Sequence, residues 1–320
     1  MTTNYEGGGR MSTYAIRSTL RPLAERTDQE KASRYRVGGI VIALVGLMAA
    51  AASLIGNVVV ADEAANADTL AWTFGLGTVG FAAVKLGIAT MLIGILVRLW
   101  LRVDAVKAAL PGLKPDVGPD DSARTGDIET AYGPATVTRT VPEKLAIHRM
   151  AERMWLSMIA MGPMLVAVGL VFAIVQSGET DTGTFTDLGA LVQGTQFLGE
   201  GLILAGISFL LGTILSSLRS GGAEVQQALG VSIKTLKMPP SAKAFVGLMA
   251  AGVMVAMVQF VGYLVATGQD DPTSWFAWLG PVREFGLGLI LSGIVLALYT
   301  IGTVLGFQFE RLSQIIREGR

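Results

Sequence analysis

The sequence predicts an all-α integral membrane protein in which six transmembrane helices form three tandem helical hairpins of the same orientation. Composition is the first reason: of the 320 residues, 51% are hydrophobic and only 16% are charged, which is too apolar for an ordinary soluble domain. The second reason is a set of six apolar runs, each long enough to cross a hydrocarbon core, which takes about 20 residues of helix. The third reason is a glycine motif that occurs three times.

The six apolar runs have no period-two alternation, so helices are favoured over strands. A helix also satisfies its backbone polar groups internally, as a segment surrounded by lipid requires. The runs are 38–61, 76–101, 155–176, 190–218, 244–267 and 284–308.

The glycine motif is a large apolar residue, Gly, any residue, a small residue, four mostly apolar residues and then Gly-Ile. It begins at Leu86, Leu198 and Phe285, each time in the second of two successive runs. The first runs share sequence as well, because residues 45–50 recur as residues 246–251. We therefore expect a duplicated two-helix unit whose three copies are parallel, unlike the inverted repeats of many secondary transporters.

The distribution of charge predicts the topology. All but two of the 25 Lys and Arg residues precede the first run, follow the last run, or lie in the stretches 98–153 and 219–243 that connect one hairpin to the next. The connections inside the hairpins carry carboxylates instead, such as Asp62, Glu179 and Asp270. By the positive-inside rule, both termini are expected in the cytoplasm and the three acidic loops outside. The N-terminal tail lacks the features of a cleavable signal peptide, so we expect the first run to remain as a helix in the plasma (cytoplasmic) membrane.

These patterns divide the chain into six parts. The parts are a cytoplasmic N-terminal tail with a basic amphipathic segment (1–37), hairpin 1 (38–102), a cytoplasmic linker (103–142), hairpin 2 (143–219), a second cytoplasmic linker (220–240), and hairpin 3 with a C-terminal extension (241–320). The first linker contains several Pro, Gly and Asp residues, which break regular structure. We therefore expect residues 114–140 to form a loop of low order that contacts a partner.

The motif glycines are predicted to be helix-packing residues. Small residues let helix backbones approach closely in lipid, where there is little hydrophobic drive between helices. The two glycines of each motif are seven residues apart, which is about two helical turns and places them on one face. We expect them to pack the second helices of the three hairpins around a common axis. The set is Gly87, Gly94, Gly199, Gly206, Gly286 and Gly293, with Gly302 and Gly306 as a further close-packing pair.

Charged residues beside the motif form a candidate intramembrane polar cluster. Aligned on the motif, they fall at a similar depth in the outer half of the membrane, where an ionisable group is costly unless it is paired or wet. One interpretation is an interhelical pair of Lys85 with Glu200 or Glu284 that fixes the packing of the hairpins. Others are snorkelling to the outer interface and an ion or solute site. The candidates are Lys85, Gln196, Glu200, Arg283 and Glu284.

The sequence offers no catalytic, cofactor or metal site. There is no Cys and a single His, which argues against thiolate, haem or copper ligation within the chain. Gly75, Gly77 and Gly80 match a dinucleotide fingerprint only formally, because they follow no strand. His148 has Arg149, Glu152 and Arg153 around it, which indicates a surface role.

We therefore expect a non-catalytic membrane protein that serves as a structural or accessory subunit, or scaffold, of a membrane complex. Its predicted partners are membrane lipids and either other membrane subunits or further copies of itself, with no nucleic acid. The alternative is a channel or transporter for ions or small solutes that uses the charged residues of the polar cluster.

Overall fold

A computed structural model describes residues 34–56 except Arg36, and residues 67–109, 125–269 and 273–318. The predicted amphipathic segment before residue 34 and the acidic loop of the first hairpin lie outside the described residues. The structure is 83% helical, in agreement with the predicted class.

Among the described residues, six helices are long and apolar enough to cross a membrane, and they correspond to the six predicted runs. Most of them extend beyond those runs at one or both ends. The helices are α1 (Val37–Gly56), α2 (Ala67–Ala109), α3 (Ala146–Gln176), α4 (Thr182–Ala228), α5 (Pro240–Ala266) and α6 (Thr273–Glu318).

Helix α4 is the centre of the bundle. It packs against α2, α3, α5 and α6. Its most apolar window is 78% buried, whereas the corresponding windows of the other five helices are 17–33% buried. The other helices therefore turn large apolar side chains outward, as lipid-facing helices do. We call the end that carries the α3–α4 and α5–α6 connections the turn end, and the opposite end the sheet end.

A three-stranded antiparallel sheet at the sheet end corrects the prediction of a loop of low order for residues 125–140, while residues 114–124 of that predicted loop lie outside the described residues. Strand β1 (Gly126–Thr130) pairs with β2 (Gly133–Thr138), and β2 pairs with β3 (Ile233–Leu236) from the second linker. The turn between β1 and β2 ends at Gly133, whose φ of 116° suits glycine. Ala135 and Val137 are buried, which anchors β2 beneath the ends of the helices. The sheet joins the two linkers.

Close contact between backbones holds each of the three hairpins together. A Cβ atom added to Gly39 on α1 would lie 2.8 Å from the carbonyl oxygen of Gly87 on α2. The same approach recurs between α3 and α4, where the distance from Gly162 to the oxygen of Gly199 is 2.7 Å. Between α5 and α6 the corresponding pair is Gly252 and Gly286, at 3.0 Å.

The motif glycines therefore face the first helix of their own hairpin, and the predicted common axis of the three second helices is wrong. Gly94 contacts Tyr35 on the first hairpin, Gly206 contacts Ile159, and Gly293 contacts Phe245. The spacing of seven residues fixes which glycines share a face, but it does not identify the neighbouring helix.

The pair Gly302 and Gly306 packs differently from the prediction. The Cβ position of Gly302 has open space around it in the described part of the chain. Gly306 faces the ring of Tyr132 from the β1–β2 turn, and this ring also packs edge-on against Phe307. Gly306 thus seats the sheet on α6 rather than one helix on another.

The glycine contact in hairpin 2 can be tested by adding one methyl group. In Gly199→Ala the new Cβ would lie 2.7 Å from the carbonyl oxygen of Gly162 and 2.9 Å from the backbone nitrogen of Val166, so that α3 and α4 must move apart. We expect a loss of about 1–3 kcal/mol in the free energy of unfolding, measured in mild detergent. Gly302→Ala is the matched control and should leave stability unchanged or slightly raised, and equal losses in both variants would contradict the assignment.

The contact between β1 and the end of β3 predicts a pH dependence. Lys237 donates to the Asp127 carboxylate and holds the pKa of that carboxyl below its ordinary value. A lowered pKa contributes stability that is fully present above the ordinary carboxyl pKa and is lost as the pH falls through the lowered one. Hydrogen exchange of residues 233–237, corrected for its intrinsic pH dependence, should accelerate over that range. Asp127→Asn should show the faster exchange already at neutral pH and should lose the pH dependence.

Candidate functional site

The candidate site is a buried ion cluster in which two cations share one carboxylate. The Nζ atom of Lys85 lies 3.2 Å from Oε1 of Glu200, and the NH2 atom of Arg283 lies 3.4 Å from Oε2 of the same residue. The Glu200 side chain is 5% exposed, against 20% for Lys85 and 19% for Arg283. Both oxygens of the carboxylate are therefore in ion pairs, and α2, α4 and α6 meet at this point.

Local features of α4, α2 and α6 position the three residues of the ion cluster. Glu200 is the residue after Gly199, on the central and most buried helix. Lys85 precedes Gly87 by two residues, so the glycine contact that fixes α2 in hairpin 1 also fixes the position of the lysine. The guanidinium carbon of Arg283 lies 5.9 Å from the ring centroid of Phe197, a distance at which a cation is attracted to the face of an aromatic ring.

Buried amides continue the polar region toward the turn end. Gln196 is 1% exposed, and neither its Oε1 nor its Nε2 has a hydrogen-bond partner among the described residues. Tyr263 donates to Oε1 of Gln193 at 2.8 Å. Gln259 donates to the carbonyl oxygen of Leu279 at 2.6 Å, and its own Oε1 has no partner in the described chain.

The structure brings together three of the five predicted polar residues. Lys85, Glu200 and Arg283 form the ion cluster. Gln196 lies one helical turn before Glu200 on α4, but its side chain packs at Gly75 of α2 and Gly169 of α3. Glu284 is exposed and makes no described contact with the ion cluster.

Three polar residues of this region were missed by sequence analysis. They are Gln193, Gln259 and Tyr263. The spacing of Gln193, Gln196 and Glu200, three and then four residues apart, places them on one face of a helix and was the available signal. No such periodicity identifies Gln259 or Tyr263, because each is an isolated polar residue in an apolar run.

The three charged side chains of the cluster can act through electrostatic interactions. The described residues contain no group of three or more His, Asp or Glu side chains that could hold a metal ion. The predicted surface position of His148 needs correction, because this residue is half-buried and lines small cavities between α3, α4 and the start of α5. It lies at the sheet end, away from the ion cluster.

A larger cavity of about 230 Å³ opens at the sheet end between α4 and α6. Its lining is almost entirely apolar. Arg311 is among the lining residues, and its buried guanidinium donates to Oε1 of Gln226 and to the carbonyl oxygen of Ser232. These bonds tie the end of α6 to the segment that leads into β3.

The fold defines the class of this protein: a multi-pass, largely helical membrane protein. Comparison with models of known protein families, with curated proteins and with solved structures finds no match to the chain.

The shared carboxylate makes a prediction about stability. Glu200→Gln leaves two cations facing each other without a counter-charge, whereas Lys85→Gln or Arg283→Gln leaves one ion pair intact. Removing one partner of a buried pair costs about 3–5 kcal/mol, and partial exposure of both cations reduces this to about 1–3 kcal/mol. Thermal unfolding should therefore rank Glu200→Gln as the least stable of the three. The control Glu284→Gln, at the exposed neighbour of Arg283, should unfold like the unmodified protein.

Proposed function

We propose that this chain is a non-catalytic structural or accessory subunit, a scaffold, of a complex in the plasma membrane. One observation carries the proposal. Each of the two carboxylate oxygens of Glu200 forms an ion pair with a cation from another helix. A carboxylate held in this way fixes how helices pack.

Three repeated hairpins are part of the proposal. The supporting observation is the recurrence of one backbone contact, in which a glycine of the first helix lies against the carbonyl oxygen of the first motif glycine. The three pairs are Gly39 with Gly87, Gly162 with Gly199, and Gly252 with Gly286. A duplicated two-helix unit accounts for a contact that recurs at the same place in the motif.

The proposed topology places both termini and the sheet in the cytoplasm. Lys234 and Lys237 lie at the sheet end, whereas Glu179, Asp181 and Asp187 lie at the turn end. This separation of charge follows the positive-inside rule. The outward apolar side chains of the other helices offer surface both to lipid and to partner subunits.

A channel or transporter is the second candidate, and one observation favours it. Gln196 is buried with both of its amide atoms unpartnered in the described chain, and such a group is costly unless something binds to it. Together with Glu200 it would provide polar groups on one face of α4 for a passing ion or solute.

Exchange of charge separates the two candidates. Because Glu200 has two partners, the exchange must change three residues together: Glu200→Lys with Lys85→Glu and Arg283→Glu. A scaffold whose cluster only packs helices should recover in the triple variant most of the stability lost in Glu200→Lys alone. The full chain should also recover its native mass and its stoichiometric partner in mild detergent, measured by native mass spectrometry.

Two results would contradict the scaffold. One is a monodisperse lone chain that supports solute flux in proteoliposomes, with the flux abolished by Glu200→Gln. The other is solute flux in the unmodified chain that is lost in a triple variant of recovered stability, since a structural pair tolerates inversion of its charges and a transport site does not.

A further inference from the structure

The ion cluster carries one positive charge more than its own carboxylate can balance. Glu200 contributes one negative charge, and Lys85 and Arg283 contribute two positive charges. All three residues lie inside candidate membrane spans. A charge in that environment is strongly disfavoured unless a counter-charge is near. A second negative group is therefore needed to balance the charge of the cluster.

No other described acidic residue supplies that group. Glu284 is adjacent to Arg283 in sequence, but successive residues on a helix point about 100° apart, and the described contacts of Glu284 include neither cation. Gln193, Gln196 and Gln259 are neutral. The balancing charge must therefore come from outside the described chain.

We propose that Lys85 and Arg283 bind one small monovalent anion, of the class of chloride or a simple carboxylate, beside Glu200. This site is independent of the proposed function, because a scaffold and a transporter could each contain it.

Unused hydrogen-bond donors support the site. The Nε atom of Arg283 is buried and has no hydrogen-bond partner among the described residues. An ammonium group has three donors, and the described contacts of Lys85 use one of them, on Glu200. An anion held between the two cations would accept from both residues and would satisfy the guanidinium.

The burial of the three side chains shows which of them an anion would meet first. Lys85 and Arg283 keep about a fifth of their side-chain surface exposed, at 20% and 19%, whereas Glu200 keeps 5%. The cations thus form the accessible side of the cluster and the carboxylate forms its floor. Phe197 beneath the guanidinium of Arg283 limits its movement and keeps its donors in place.

The excess positive charge of the ion cluster determines which class of anion fits. One excess positive charge is neutralised by one negative charge, so a divalent anion such as sulfate would leave the cluster with an excess negative charge. A phospholipid headgroup carries its charge at the membrane interface, whereas Lys85 and Glu200 lie well inside the candidate spans of α2 and α4. Chloride, which is small and monovalent, is the natural probe.

The test is thermal unfolding of the purified full chain in mild detergent, titrated with sodium chloride at constant ionic strength against sodium gluconate. Gluconate is a bulky carboxylate and serves as the poorly fitting reference anion. A ligand that binds only the folded state stabilises it, and saturation with chloride should raise the melting temperature by about 3 °C. Broadening of the chloride NMR line by the protein gives an independent readout that does not depend on unfolding.

Two variants should change the chloride dependence of the melting temperature in opposite directions. Arg283→Gln removes the excess charge and should abolish the chloride-dependent shift. Glu200→Gln raises the excess to two charges and should lower the chloride concentration at half-maximal shift several-fold. Because Glu200→Gln is expected to be less stable, the NMR line width decides the result if its unfolding is too broad to analyse.

Three outcomes would overturn the proposal. Equal melting temperatures in chloride and gluconate, with no line broadening, would show that no chloride binds at the cluster. A chloride effect that persists in Arg283→Gln would place the anion elsewhere. Sulfate that removes the chloride line broadening at a lower concentration than a monovalent competitor would contradict the monovalent class.

Discussion

Glu200 shares its carboxylate between Lys85 and Arg283, and the arrangement of the bundle depends on this contact. Helix α4 is covered on most sides by other helices, so a charge on it is disfavoured unless its neighbours balance it. The two cations come from α2 and α6, which belong to different proposed hairpins. One carboxylate therefore sets the axial position of three helices, because a shift of one turn would separate each pair by about 5 Å.

Two kinds of contact hold the helices together, one within each hairpin and one between hairpins. Within a hairpin, glycine on glycine brings the backbones together, and van der Waals contact supplies the energy because lipid offers little hydrophobic drive. Between hairpins, the described contacts include polar ones: the ion cluster, the bond from Trp100 to Ser217, and the bond from Tyr263 to Gln193. Short-range packing thus forms each hairpin, and directional polar contacts orient the hairpins relative to one another.

The helices and one ion pair of the site could be predicted from the sequence, while the sheet and the neighbours of the glycines could not. A charge inside an apolar run is rare enough to stand out, so Lys85 and Glu200 were recognisable as partners. Arg283 lies close to Trp278 and Pro281 and resembled an interface residue, although α6 starts ten residues before it. The strands are short and rich in Gly and Thr, and β3 lies almost a hundred residues after β2, so no local pattern reveals their pairing.

The position of α4 also bears on the choice between a scaffold and a transporter. Alternating access requires one part of a bundle to move against another around a fixed site. Here the site is on the central helix, and any rocking of hairpin 1 or hairpin 3 against α4 must lengthen an ion pair to Glu200. The sheet adds a second restraint, since β2 and β3 join the linkers on either side of hairpin 2. A bundle whose two linkers are joined by a sheet is better suited to presenting fixed surfaces than to changing its shape, which favours the proposed scaffold.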